Sequence, residues 1–241
     1  MRGALAALFL GLAGPVSAGS EVLSAQYDEP TTRYAHGVLG DTVEWGALIM
    51  RLDTCPECAL LRTREYRIDL PESRVFEDLE PRVLDLDRDG DNEVLVIESH
   101  KHKGARVAVY DENGLLAYGP YRMRRFRWLA IIGAADFDND GQIEVAYIDR
   151  PHLVKKLKLL RFQPGMMPFV AEAPGFTNHK IGEDVISGGL RTCAGRLEMI
   201  VADAGWTQIM AVAYDGQSFS STPMAPYTGP SSFDPVMTCG Q

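Results

Sequence analysis

Short runs in which apolar and polar residues alternate, punctuated by Gly, Asn and Asp, recur along most of the chain. RVAVYDENGLLAY (106–118) and IMAVAYDGQSFSS (209–221) each read as strand, tight turn, strand, because a period of two puts one row of side chains on a buried face. Asn113-Gly114 and Asp215-Gly216 supply the positive φ angles that two-residue hairpin turns need. After KLKLLRF (156–162), Gln163-Pro164-Gly165 takes the same place. VLVIE (94–98) and VAYID (145–149) are further strand-like runs rich in β-branched residues. No segment carries a convincing amphipathic helical period, so the pattern predicts an all-β chain.

The strands belong to repeats. DLDRDGDNE (85–93) recurs 51 positions later as DFDNDGQIE (136–144), in register at both ends. A third, eroded copy is GGLRTCAGRLEMIVAD (188–203), with Gly195 under Gly141 and Glu198 under Glu144, but with Leu190, Thr192 and Ala194 where Asp136, Asp138 and Asp140 stand. A fainter fourth is VLGDTVEWGALIM (38–50), where Glu44 matches Glu93. Each unit of roughly 50 residues has room for about four strands, the content of a propeller blade. The expected fold is therefore a small β-propeller of about four four-stranded blades, with calcium loops in two of them. The units fall near 35–78, 79–125, 128–173 and 180–225. The alternative is a fifth blade pieced together from 19–34 and 226–241, and in either case pairing of the chain ends closes the ring.

The acidic loops demand a reason, since five carboxylates in one and four in the other, each within nine residues, repel one another. In the first, Asp85, Asp87 and Asp89 alternate with other residues, so a curled loop directs them to one centre, and Gly90 permits the turn. The carbonyl of Asp91 and the side chain of Glu93 complete an all-oxygen shell; the second set is Asp136, Asp138, Asp140, the carbonyl of Gln142, and Glu144. Six or seven oxygen donors suit calcium better than magnesium, which prefers a stricter octahedron and keeps more water. Two calcium sites are expected. The alternative is a pair of solvated acidic turns capped by Asp and Asn. An EF-hand is excluded: its loop needs Glu at position 12 and flanking helices, whereas position 12 is Val96 or Tyr147 and strands follow.

Composition adds limits. The 241 residues carry a formal net charge of −9, which argues against a nucleic-acid partner. MRGALAALFLGLAGPVSA (1–18) has one early positive charge, an apolar run and a small-residue end, the pattern of a secretory signal cleaved after Ala18. It is far short of the ~20 apolar residues of a membrane span. Residues 19–241 are then a single exported domain, secreted or periplasmic and acting as a monomer. Export permits disulfides. Cys55 and Cys58 in CPEC are expected to close on each other at a turn, leaving Cys193 to hold the tail through Cys239 and so to fasten the ring; a redox CxxC would want a helix after it, and ALLRTREYRID is strand-like.

Other candidates have plain readings beside the chemical ones. His100 and His102 in ESHKHKG form an H-x-H pair but lie in a polar, Gly-ended loop. The run Tyr121-Arg122-Met123-Arg124-Arg125-Phe126-Arg127-Trp128 suits an anionic glycan or phosphate through guanidinium pairing and stacking, or else is an edge strand guarded by charge. Lys155, Lys156 and Lys158 read as a solvated strand face. No nucleophile elbow, phosphate-binding Gly loop or zinc-protease motif is present.

VLDLDRDGDNEVLVI (83–97) and AADFDNDGQIEVAYI (134–148) resemble the calcium loops of FG-GAP/VCBS repeat proteins, whose propeller is similar to that of integrin alpha chains. The FG-GAP phrase itself is only loosely present, as Ile132-Gly133-Ala134-Ala135. The resemblance implies a secreted or surface-exposed propeller that binds a protein or glycan without catalysis. The alternative function is a small extracytoplasmic polysaccharide hydrolase or lyase on the same scaffold.

Overall fold

A computed structural model of the chain describes residues 20–239; the secretory signal expected at 1–18 lies outside them. The structure is mostly β. One continuous nine-stranded sheet falls into two units, called here the first and second sheets: β1 (Glu21–Thr31), β2 (Glu44–Asp53) and β3 (Thr63–Asp69), then, across the short β4 (Arg74–Phe76), β5 (Arg82–Leu84), β6 (Glu93–His100), β7 (Gly104–Asp111) and β8 (Gly114–Tyr118). The third holds β9 (Leu129–Ala135), β10 (Glu144–Asp149), β11 (Lys156–Arg161) and β13 (Phe169–Pro174), while the two-residue β12 (Gly165–Met166) runs parallel to β8. In the fourth, β14 (Phe176–Thr177) and β15 (Gly189–Cys193) flank β16 (Arg196–Asp203), followed by β17 (Gln208–Tyr214) and β18 (Phe219–Pro226). All pairings inside the units are antiparallel.

Strand periodicity explains why the sheets stack. In β6, Val94 and Val96 pack with Leu48 and Met50 of β2, while Leu95 and Ile97 join Ile131, Val145 and Tyr147 of the third sheet. In β10, Ala146 and Ile148 face the other way, onto Met199 and Val201 of β16. A strand buried on both faces reads as a continuous apolar run, as Val94–Ile97 and Val145–Ile148 do. The fourth sheet turns Ile200 and Ala202 toward Phe233 and Val236 of a C-terminal turn of 3-10 helix (Pro230–Phe233) and α1 (Asp234–Met237).

Several expectations change here. The first unit begins earlier than residue 35, because Glu21–Thr31 already pairs with β2. Among the described residues, no fifth blade forms from 20–34 and 226–239: the former strand belongs to the first sheet, and Pro230 and Pro235 favour helical turns at the tail, each at the start of its element. Nor do the first and last described strands pair with each other, since β1 bonds to β2 and β18 to β17. Cys55–Cys58 and Cys193–Cys239 both form. The second fastens the C-terminal turn to β15 of its own sheet rather than joining the first and fourth sheets. What spans the stack is the segment 32–43. The Phe126 amide donates to the Tyr34 hydroxyl (2.8 Å), Val38 packs beside Trp128, and the Gly182 amide donates to the Val38 carbonyl (3.0 Å).

The run 121–128 is a loop from β8 to β9, not an edge strand, with Met123 and Phe126 at positive φ (70° and 58°). The lysines are not a free solvated face: Lys156 pairs with Glu172, Lys158 reaches Asp149 (3.1 Å) and Glu172 (3.0 Å), and Lys155 donates to the Ala204 carbonyl (2.6 Å). His100 and His102 sit at the β6–β7 turn, as a loop reading requires. Among the described residues, no helix is long and apolar enough to cross a membrane.

Candidate functional site

Both acidic loops connect the first and second strands of their sheets, β5 to β6 and β9 to β10, so strands rather than helices flank them. Their backbones repeat at 51 residues: Arg88 and Asn139 have φ of 65° and 61°, Gly90 and Gly141 of 99° and 92°. Two left-handed residues in quick succession curl the chain, and Asn and Gly adopt that region at least cost. Loop amides donate to the acids themselves: Arg88 to Asp85 (2.6 Å), Asp91 to Asp89 (3.1 Å), Asp140 to Asp136 (3.0 Å), Gln142 to Asp140 (2.8 Å). The closing glutamates, buried at the starts of β6 and β10, accept from the amides of Leu86 (2.7 Å) and Phe137 (3.3 Å).

Carboxylate oxygens of Asp85, Asp87 and Glu93 lie within 4.8 Å of one another, as do those of Asp87, Asp89 and Asp91; in the second loop Asp136, Asp138 and Glu144 do the same. Asp91 thus brings its carboxylate into the cluster, where only its carbonyl was expected. Asp140 is outside the tight group and turns to Arg161 (2.8 Å).

In the first loop, burial pushes Glu93 up to about 8, with Asp87 and Asp91 adding to it. Burial and the hydrogen bond with Asp89 push Asp91 up to about 7. No Lys, Arg or His side chain forms an ion pair with this loop's acids among the described residues. A hard divalent cation fits this all-oxygen, uncompensated cluster. Asp85, Asp87, Asp89, Asp91 and Glu93 would hold it, and bound it would supply charge neutralisation and a rigid loop. The second loop has the same donor chemistry but already faces two guanidiniums. Arg161 Nη2 and Nε meet Glu144 Oε1 at 2.6 and 2.8 Å, and Arg88 Nη2 meets Asp136 at 3.2 Å. Arg161 escapes a reading of local sequence, because a polar residue ending a strand is unremarkable. The signal lay in the repeat: the strand of the preceding unit ends in Asp111 where this one ends in Arg161.

The other ends of the same strands build a second feature. The β6 and β10 strands both begin with a glutamate and carry a second acid toward the far end, Glu98 and Asp149, again 51 apart. Buried Glu98 pairs with Arg106 (2.7 Å) and accepts from Tyr110 (2.5 Å); Asp149 pairs with Arg150 (2.7 Å), Lys158 (3.1 Å) and Arg122 (3.3 Å). Beside Asp149 a cavity of about 250 Å³ opens between His36, Phe126, Trp128, Arg150 and His152, rimmed by Leu153 and Ile181, which are 64% and 70% exposed. Trp128 is fixed by its indole N–H donating to the Glu77 carbonyl (2.7 Å), and His36 by Glu77 (2.5 Å).

The tautomers in this wall follow from the bonding. His179 Nε2 lies 2.9 Å from the Glu183 carbonyl, which only accepts, so Nε2 carries the proton and Nδ1 accepts from His152 Nε2 (2.8 Å). His152 Nδ1 is then a bare acceptor. Burial holds His152 neutral down to about 4, with the neighbouring His179 adding to the effect. Arg124 and Arg125 stand exposed nearby, Arg125 stacking over Phe126 at 4.3 Å. Sequence reasoning found this basic run but missed the cavity, whose walls come from four separate loops.

Residues 85–147, which span both acidic loops, match the FG-GAP-like repeat family. No curated protein matches the chain.

Proposed function

We propose, from the FG-GAP-like identity of residues 85–147, that the protein is an exported, calcium-stabilised propeller-type module that binds an acidic protein or glycan and performs no catalysis. The four stacked sheets serve as its blades. The acidic loops hold one end of the blades rigid through calcium, and the cavity at the opposite end takes the ligand. The observation that carries this reading is the contrast of charge. The chain has a net charge of −9, yet Arg127 and Arg150 line an aromatic-walled cavity with exposed apolar rims, Arg125 stacks on the Phe126 of its wall, and Arg124 is exposed in the same loop. Guanidiniums beside aromatic planes suit carboxylate or sulfate groups on a ring-bearing ligand, and an exposed apolar rim marks a contact surface. The two disulfides support an oxidising compartment.

The test is retention without turnover. The mature protein is presented to an array of neutral and uronate- or sulfate-bearing glycans and used as bait in pull-down. Acidic ligands should be retained, and an Arg124→Glu/Arg125→Glu variant should lose them. Product release from any polysaccharide would overturn the non-catalytic reading, and equal retention by the variant would overturn the assignment of the face.

A further inference from the structure

The two acidic loops are alike in sequence and unlike in charge. Register sets the difference. Glu144 opens β10 directly opposite Arg161, the last residue of β11. From that position the guanidinium lies 2.6 Å from Glu144, 2.8 Å from Asp140 and 3.6 Å from Asp138. Arg88, reaching across from the first loop, lies 3.2 Å from Asp136 and donates to the Gly141 carbonyl (3.3 Å). All four acids of the second loop therefore have a guanidinium partner.

The first loop has none. Its strand register, with Val94 opposite Tyr110, carries Asp111 to the position that Arg161 fills in the next sheet. Its single arginine, Arg88, points away into the second loop. Five acids there, Asp85, Asp87, Asp89, Asp91 and Glu93, face no cation among the described residues. The fourth sheet supplies a parallel to the second loop. There the loop has shrunk to a hairpin turn, and the equivalent glutamate, Glu198, is held by Arg191 directly opposite it, at 2.7 and 2.9 Å.

We infer that Arg161 is a built-in substitute for the ion in the second loop, so that this chain takes one tightly bound divalent cation, at Asp85–Glu93, where the repeat pattern implies two. The inference rests on the calcium reading above. An ion entering the second loop must expel a guanidinium that makes paired, charge-assisted hydrogen bonds, which are stronger than those between neutral groups. It also meets positive charge from Arg88. An ion entering the first loop displaces no protein cation and relieves repulsion among five acids. The second loop is accordingly at least tenfold weaker. The arginine also explains why the second loop keeps its shape without an ion.

Calcium titration of the mature wild-type protein by calorimetry, with terbium luminescence as an independent count, tests this. The expected stoichiometry is one per chain, with any further binding at least tenfold weaker. Asp85→Asn/Asp87→Asn should abolish the tight site, and Arg161→Gln should raise the count to two. Cadmium-113 resonances of the wild type count filled sites without any variant, should Arg161→Gln fail to fold. Two sites of equal affinity in the wild type would overturn the inference and leave the calcium reading intact. No saturable site in the wild type would overturn both.

Discussion

Glu44 opens β2 as Glu93 and Glu144 open β6 and β10, but it has lost the acidic loop before it. Burial, reinforced by the charge of Glu77, pushes its carboxyl up to about 10. The folded state then keeps a proton that the unfolded chain releases near pH 4.3, so stability is greatest below that pH and declines as pH rises toward 10. Glu44→Gln should remove this slope. Its melting temperature should equal that of the wild type near pH 4 and exceed it at pH 7–8, the gap widening by up to about 1.4 kcal/mol per pH unit in between. A constant difference across that range would contradict the assignment. At this scale the clustered acids of the two loops were legible in the sequence, because alternate spacing and an in-register repeat are local patterns. Arg161, Arg88 and His152 were not. Their roles depend on what stands opposite in another strand or loop, and no spacing within one segment encodes that.

The sheets owe their cohesion to alternating faces. Ile97 is fully buried between the second and third sheets, and Ile97→Ala should cost about 2–5 kcal/mol through lost transfer energy and a residual cavity. The edge position Leu115, 41% exposed, should tolerate the same change with less than about 0.5 kcal/mol in a urea melt. The Cys193–Cys239 bond closes a segment of 46 residues, so Cys193→Ser/Cys239→Ser should lower stability by about 2–4 kcal/mol and loosen the C-terminal turn first. Protease sensitivity confined to residues beyond β18 would report that loosening. Hairpins marked by Asn-Gly and Asp-Gly were readable from sequence because their turn chemistry is local. Strands of two or three residues, such as β4, β12 and β14, were not, since their existence is decided by the neighbours they bridge. The helical tail is likewise too short for any period to show.

Across the whole molecule the repeats divide labour by direction. One end of the strands carries the acidic loops, and the other carries Glu98, Asp149 and the aromatic cavity with its arginines. The 51-residue period revealed the units and their acidic loops. It did not reveal the span by residues 32–43, because that segment touches three sheets through side chains with no repeat counterpart. The most direct measurement of the central claim, that calcium in the acidic loops holds the fold together, is a thermal melt of the mature protein in chelator and in ~1 mM calcium. Extracellular calcium modules with dissociation constants of ~10⁻⁴–10⁻³ M would add about 0.4–1.4 kcal/mol per filled site, a rise of roughly 1–5 °C for a domain of this size. Asp85→Asn/Asp87→Asn should melt as the chelated wild type does and gain almost nothing from calcium. Identical wild-type melts in chelator and in excess calcium would contradict the claim.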